Sequence, residues 1–349
     1  MSKVRVLIVD DSATMRNMLT KILSADPEIE VVATAPDPFV AREKLVALKP
    51  DVMTLDLEMP KMDGISFLQK VMEYFPTRTV VISSLTTQGS ETAFKAWEAG
   101  AVEVVTKPAL DLNRGIEGMS EEILGAVKTA ARSKMRSRVA AKPVRSNSHN
   151  LQKTTHQLLA IASSTGGTEA LKEILPKFTG DAPGIVVVQH MPAGFTLAYA
   201  KHLQQICAIE VKEAEEGDQV TPGRALIAPG NFHMEIRRSG AYYVVHLHQE
   251  PLLFGVRPAA DYLMKSVAKE CGKNAMGLVL TGMGRDGAAG LLEMRNAGAY
   301  NFAQDEQTCV VFGMPKAAIA AGSIHTVAPL ENLAELIMRE FAKRDPAAA

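Results

Sequence analysis

A serine, a histidine and an aspartate each close an apolar run in the second half of this chain, and those three side chains together can hydrolyse an acyl bond. LLAIA (158–162) runs into Ser163-Ser164-Thr165-Gly166-Gly167, IVVVQ (185–189) into His190, and MGLVL (276–280) into TGMGRD, which closes on Asp286. A hydroxyl becomes a nucleophile when a base within hydrogen-bond reach takes its proton, and the base needs an acid to fix its tautomer. The oxyanion that forms on the substrate needs N–H donors already aimed at it. Glycines after Ser164 let the backbone come close, and the N-terminus of a following helix supplies N–H groups and positive potential. The backbone amides of Thr165, and of Met283 and Gly284 in the second glycine run, are the candidates for that oxyanion hole.

A second constellation lies near the N-terminus. Asp10 and Asp11 end one apolar run, Asp56 another, Ser83 a third and Lys107 a fourth. Three carboxylates brought together repel unless a cation joins them, and hard oxygen ligands suit Mg²⁺. A bound Mg²⁺ neutralises charge on an incoming phosphoryl group, which Asp56 can then attack as a nucleophile. Ser83 offers a hydroxyl and Lys107 a cation to the phosphoryl oxygens.

These residues need elements to position them. Residues 1–128 alternate VRVLIVD (4–10), IEVVATA (29–35), DVMTLD (51–56), TVVISS (79–84) and VEVVTK (102–107) with helical patterns such as TMRNMLTKILSA and AREKLVAL. Runs apolar on both faces are those of buried parallel strands, so a (βα)5 domain with a parallel sheet is expected. In the flavodoxin-like order 2-1-3-4-5, the first and third strands are neighbours and bring Asp10, Asp11 and Asp56 to one carboxyl edge. Residues 129–154 read as a basic linker, since Arg132, Lys134, Arg136, Arg138, Lys142 and Arg145 stand there before any acid. From 155 to 349 the alternation resumes, with helices expected over 167–177, 194–205, 257–270, 286–297, 313–321 and 331–343. HMEIRRSGAYYVVHLH (233–248) reads as a β-hairpin turning at Arg238-Ser239-Gly240. The expected second fold is a doubly wound, mainly parallel α/β domain with that hairpin, and its three triad residues share one sheet edge.

Each residue also has an ordinary use. Ser163 or Ser164 can cap the following helix, Asp286 can do the same, and the acids of the first domain can cap theirs. His190, at the end of a buried strand, can be a hydrogen-bonded core histidine. The hairpin histidines His246 and His248 share a strand face, lack further ligands and read as surface residues, as does His233. GMGRDG (282–287) satisfies the dinucleotide pattern G-x-G-x-x-G, with Asp305 placed as the ribose acid. Asp286 argues against it, because a carboxylate would sit where the pyrophosphate belongs, at a helix N-terminus. No dinucleotide is therefore expected. A DNA-binding output domain would be shorter and basic, whereas this chain carries a net charge of -1 and its second domain is strand-rich, so no DNA partner is expected either. No apolar run approaches the ~20 residues of a membrane span. The N-terminal apolar run is short and soon acidic, unlike a signal peptide. Cys207, Cys271 and Cys309 are odd in number and far apart, which suggests neither a disulfide framework nor a Cys-type zinc site. A cytoplasmic monomer is the expectation.

VDDSATMR, LDLEMPKMDG, SSLT and TKP resemble the receiver domain of two-component response regulators over about 1–125. That resemblance implies phosphorylation of Asp56 by a histidine kinase. It also implies Mg²⁺ held by Asp10, Asp11, Asp56 and the Glu58 carbonyl, with Ser83 and Lys107 as switch residues. Many receivers carry an aromatic switch residue three before the lysine; this chain has Val104 there, so an aromatic flip cannot be its signal. ASSTGG, VVQHMPAGFT, APGNFHM, RPAADYL, LTGMGRDGAAG and FGMPKAA resemble the methylesterase domain of the CheB family of chemotaxis protein-glutamate methylesterases over about 155–345. That resemblance implies Ser164 as nucleophile rather than Ser163, His190 as general base and Asp286 as its orienting acid. The implied substrates are methylated glutamates on chemoreceptor cytoplasmic domains, with deamidation of particular glutamines as a second activity and no cofactor for hydrolysis. With a receiver ahead, the expectation is a phosphorylation-gated enzyme whose receiver covers the carboxyl edge of the hydrolase sheet until Asp56 is phosphorylated.

Overall fold

The computed structural model describes residues 3–59, 62–83, 92, 95–107, 116–134 and 157–344. They divide into two compact units, Met1–Met135 and Arg136–Ala349. The first holds strands β1 (Val4–Val9), β2 (Ile29–Ala35), β3 (Val52–Asp56), β4 (Arg78–Ser83) and β5 (Glu103–Thr106). Its helices are α1 (Ala13–Ser24), α2 (Pro38–Leu48), α3 (Gly64–Tyr74) and α4 (Ile116–Arg132). The sheet order is β2-β1-β3-β4-β5, all parallel. The reason is legible residue by residue. β3 is buried along its whole length, so helices must cover both faces of the sheet. Ser12, Asp37 and Asp63 cap α1, α2 and α3, each accepting amides of the first turn.

One boundary differs from the sequence reading. α4 runs to Arg132, Thr129 and Ala130 are buried in its core-facing side, and Arg78 Nε donates to the Ser133 carbonyl at 2.8 Å. The first domain therefore extends past 128 into the segment read as linker, because the apolar stripe of α4 continues beneath its basic residues. Residues 135–154 of that linker lie outside the described residues.

The second unit contains β6 (Leu158–Ser163), α5 (Gly167–Ile174), β7 (Gly184–Gln189), α6 (Phe195–Ile206), β8 (Glu210–Glu213), β9 (Arg224–Ile227), β10 (His233–Ser239) and β11 (Tyr242–His248). It continues through α7 (Ala260–Cys271), β12 (Ala275–Val279), α8 (Ala288–Asn296), β13 (Tyr300–Gln304), α9 (Met314–Ala320), β14 (Thr326–Ala328) and α10 (Leu330–Arg344). Seven parallel strands follow the order β14-β13-β12-β6-β7-β9-β8. β6, β7 and β12 are buried at every residue. The chain moves outward from β6 on one side through β7, then returns to its other side with β12. The β6/β12 boundary is thus the topological switch point, where ligands bind in doubly wound folds. The hairpin β10–β11 stands apart from the sheet and packs on α7: Ile236 joins Leu263, Met264 and Val267 in one core, and Ser266 Oγ accepts from the Ile236 amide at 2.9 Å.

Three local differences from the sequence reading have physical causes. The hairpin turns at Gly240-Ala241 rather than at 238–240, since Arg238 pairs with Tyr243 and Ser239 with Tyr242. The helix expected over 167–177 stops at Ile174 and tightens to a 3₁₀ turn at Leu175–Lys177, which contains Pro176. The helices expected from 257 and 286 begin at Ala260 and Ala288. Ala259 is extended (φ −115°), and Gly287 adopts φ 85°, which a glycine takes without strain. Asp286 is thereby left outside α8, with its side chain free to point elsewhere.

Candidate active site

Ser164, His190 and Asp286 follow β6, β7 and β12, three adjacent strands of the sheet. The backbone ties their ends together. The His190 amide donates to the Ser163 carbonyl at 3.0 Å and the Ser164 amide to the Thr281 carbonyl at 3.1 Å. Gly282 carries no Cβ because there is no room for one: it would lie 2.7 Å from Ser164 Cβ and 2.4 Å from Met314 Sδ. The loop after β12 can therefore lie directly against the serine.

His190 Nε2 is 2.8 Å from Asp286 Oδ2. The same carboxylate accepts the Ala260 amide at Oδ2, 2.6 Å, and the Asp261 amide at Oδ1, 2.9 Å. Asp286 therefore caps α7, the neighbouring helix, rather than the α8 that follows it in sequence. The N-cap of α8 is Gly287, which has no side-chain cap. Burial pushes the Asp286 carboxyl up, but the hydrogen bond and charge of His190 and the two amides outweigh it and hold the group below the ordinary aspartate value. An ionised aspartate against Nε2 fixes the hydrogen of a neutral His190 on Nε2 and leaves Nδ1 as the lone-pair nitrogen.

The two serines have different surroundings. Ser163 is buried and its hydroxyl donates to Gln189 Oε1 at 2.7 Å. Ser164 is half-buried, and the N-cap of α5 is Gly166, again without a side-chain cap. Among the candidate oxyanion donors, Thr165 is buried with its carbonyl held by Thr281 Oγ1 at 3.0 Å. Met283 is half-exposed, and Gly284 has φ 89° with open space where a Cβ would stand.

Gln189 was not singled out from the sequence. Its Nε2 donates to the Ser164 and His190 carbonyls, both at 3.0 Å, so one buried amide clamps the two strand ends together. A lone polar residue closing the otherwise apolar IVVVQ was the only available signal. His233 corrects the surface reading of the hairpin histidines, being fully buried at the start of β10; His246 and His248 are half-buried. The dinucleotide pattern is also put to other uses here. The Asp286 carboxylate is spent on His190 and α7, and Asp305 accepts the Thr308 amide and hydroxyl within its own turn.

In the first unit, β1 pairs with β3 in the register Val9↔Leu55, so Asp10 and Asp56 come next side by side. Asp10, Asp11 and Asp56 place carboxylate oxygens within 4.8 Å of one another. Lys107, just past β5, reaches Asp56 Oδ2 at 2.7 Å, and the Glu58 amide donates to Asp56 Oδ1 at 3.0 Å. Ser83 ends β4 opposite Thr106; its side chain lies outside the described residues, as does Pro108. Val104 is buried in β5.

These residues fit a hard divalent cation. Asp10 Oδ2 is buried without a hydrogen-bond partner, an acceptor that a bound cation would satisfy. Burial, with the nearby Asp56 charge, pushes the Asp10 carboxyl up to about 6. Burial likewise raises Asp56 despite the Lys107 hydrogen bond. A ligand must be ionised to bind metal, so Mg²⁺ affinity is expected to rise as pH climbs through about 6 and to flatten above it. Titration with Mg²⁺ at pH 5 and pH 7.5, followed by Trp97 fluorescence or NMR, checks this; equal affinity at both would remove Asp10 from the ligand set.

Residues 159–337 match the CheB methylesterase family and residues 6–117 the response regulator receiver domain. A protein-glutamate methylesterase/protein-glutamine glutaminase of Bdellovibrio bacteriovorus is 59% identical over 99% of both chains. One of the same name from Sulfurimonas denitrificans is 50% identical over 95% of this chain and 96% of its own. The crystal structure of the Thermotoga maritima CheB methylesterase catalytic domain covers 53% of this chain and 98% of its own at TM-score 0.52 and 38% identity. Among the described residues no helix is long and apolar enough to cross a membrane. The chain belongs to the CheB methylesterase family, with a response regulator receiver domain ahead of the enzyme domain.

Proposed function

We propose that this protein is a phosphorylation-gated serine hydrolase of bacterial chemotaxis. It removes methyl groups from glutamate methyl esters on chemoreceptor cytoplasmic domains and deamidates particular glutamines. The observation that carries the reading is the 2.8 Å His190–Asp286 hydrogen bond, made beyond the ends of the two strands that flank β6, which leads into Ser164, in a chain 59% identical to a relative named for both activities.

Ser164 Oγ attacks the ester carbonyl carbon while His190 Nδ1 takes its proton. The imidazolium is stabilised through Nε2 by Asp286. Amides of the Thr165 and Met283–Gly284 segments receive the oxyanion. When the tetrahedral intermediate collapses, the carbonyl re-forms, the C–OCH₃ bond breaks, and His190 returns its proton so that methanol leaves. Water then attacks the acyl-enzyme, giving up a proton to the same nitrogen, and glutamate departs as Ser164 regains its hydrogen. With a glutamine the leaving group is ammonia. Both reactions are acyl transfer to water, so one triad serves both.

The receiver supplies the gate. A chemotaxis histidine kinase phosphorylates Asp56, and Asp10, Asp11, Asp56 and the Glu58 carbonyl are the groups that would hold Mg²⁺. The ion would supply positive charge to offset that of the phosphoryl oxygens. Lys107, already bonded to Asp56, can follow the added charge, and Ser83 offers its hydroxyl. The protein works in the cytoplasm as a monomer on membrane-anchored receptors. Phosphorylation adds about −1.5 to −2 charges, and couplings of this kind span roughly 5–150-fold. Removing residues 1–135 is expected to raise basal methanol release from methylated receptor by a factor in that range. Acetyl phosphate with Mg²⁺ is expected to activate the intact chain but not its Asp56→Asn variant. A truncated chain no faster than the unphosphorylated intact one would overturn inhibition by the receiver and leave direct stimulation or localisation in its place.

A further inference from the structure

His233 opens β10 with no exposed surface, and its two ring nitrogens do different things. The Ala259 amide donates to Nδ1 at 3.1 Å, and Nε2 lies 3.1 Å from the Pro251 carbonyl. An amide can only donate and a carbonyl can only accept, so the ring is neutral with its hydrogen on Nε2. Burial lowers its pKa and keeps it in that form.

What hangs from this contact is the Asp286 grip. Ala259 is the N-cap residue of α7 and offers no side-chain cap. The next two amides, Ala260 and Asp261, hold the two oxygens of Asp286. Asp261 in turn places its own buried carboxylate on the Gly290 amide, 2.8 Å away in the first turn of α8. α7 and α8 thus exchange caps: the acid before α8 caps α7, and the acid at the start of α7 caps α8. That exchange fixes the two helices against each other. It leaves the extended residue ahead of α7 to be anchored from the other side, where its amide donates to His233 Nδ1.

We propose that His233 is a positioning residue for the catalytic pair: by holding the Ala259 amide, it sets the Ala260 and Asp261 amides so that Asp286 Oδ2 faces His190 Nε2. It touches no substrate, and its effect is transmitted through three consecutive peptide units. The proposal rests on the Ser164–His190–Asp286 reading above.

Two substitutions separate the contact from mere filling of the core. In His233→Asn the Oδ1 atom stands near the place of Nδ1 and can accept from Ala259. In His233→Gln the amide reaches toward Pro251 instead and leaves the Ala259 amide unpaired. Small misplacements of a catalytic group cost on the order of 10²-fold. In the intact protein, His233→Gln is expected to lower kcat for methylated receptor by about 10–100-fold with KM within about twofold. His233→Asn is expected to stay within about fivefold of the parent. In an Asp286→Asn background the His233→Gln change is expected to cost less than about threefold more, because the acid it positions is already gone. Equal losses for Asn and Gln, or the same loss with and without Asp286, would overturn the proposal. Should His233→Gln fail to fold by circular dichroism, His233→Asn decides alone, and a loss beyond about tenfold overturns it. If Asp286→Asn by itself leaves kcat unchanged, the triad reading has failed rather than the role of His233.

Discussion

Ser164→Ala is expected to lower kcat for ester hydrolysis by on the order of 10⁴ to 10⁶ while the protein stays folded, the scale of removing a triad nucleophile. The side chain is half-buried at the strand end and caps no helix, since Gly166 is the N-cap of α5. Losing one oxygen there removes a reacting atom and little packing. The neighbouring serine gives the contrast. Ser163→Ala deletes the donor to Gln189 Oε1, leaving a buried acceptor unpaired at a stability cost of about 1–3 kcal/mol. Its effect should appear mainly in the unfolding midpoint, with a far smaller change in kcat. Methanol release from methylated receptor, paired with thermal unfolding of each variant, reads both. Equal kinetic losses, or a larger one for Ser163→Ala, would move the nucleophile.

Asp286→Asn is expected to cost on the order of 10⁴ in kcat, the scale seen when a triad acid becomes an amide and the histidine loses its tautomer. Here the argument can be made oxygen by oxygen. Oδ2 faces His190 Nε2 and the Ala260 amide, while Oδ1 faces the Asp261 amide. Whichever way the new amide turns, its NH₂ group meets an N–H donor. If it turns toward Asp261, His190 keeps an acceptor but loses the charge that stabilises its imidazolium. If it turns toward His190, the histidine must present its lone pair to the amide and its hydrogen to the serine, the wrong way round for a base. Single-turnover kinetics with the same methylated receptor distinguish a loss in the chemical step from one in product release. A decrease below about tenfold would remove Asp286 from the mechanism and leave it as the cap of α7.

Much of the fold was legible because both domains are built of parallel strands. Runs such as IVVV (185–188) or LLAIA (158–162), apolar at every position, have nowhere to go but between two layers of helices. The strand ends bearing Asp10, Asp56, Ser164, His190 and Asp286 could be marked before any topology was known. Helix starts were less legible where the decisive residue had no side-chain signature. The helices expected from 257 and 286 were read from apolar spacing, but the extended Ala259 and the left-handed Gly287 delay both. That delay leaves Asp286 outside its helix and directs Ala260 and Asp261 at it. The end of the first domain was misplaced because Arg132, read as the start of a basic linker, rides on a helix whose inner face is still core at Thr129 and Ala130.

The sequence by itself determined what chemistry was available: a serine in a glycine turn, a histidine and an aspartate after buried strands, three clustered acids with a lysine, and enough family motif to name the folds. Tertiary structure decided which partner each group meets. Strand order is not written in any local pattern, because β6 takes one neighbour, β7, from the next crossover and the other, β12, from more than a hundred residues further along the chain. Only that order sets His190 and Asp286 on either side of the serine strand. It also buries Ser163 against Gln189, turns Nε2 of His190 toward the acid, and makes two helices exchange caps across Asp261 and Asp286. These are pairings between distant backbone and side-chain groups, fixed by packing rather than by spacing along the chain.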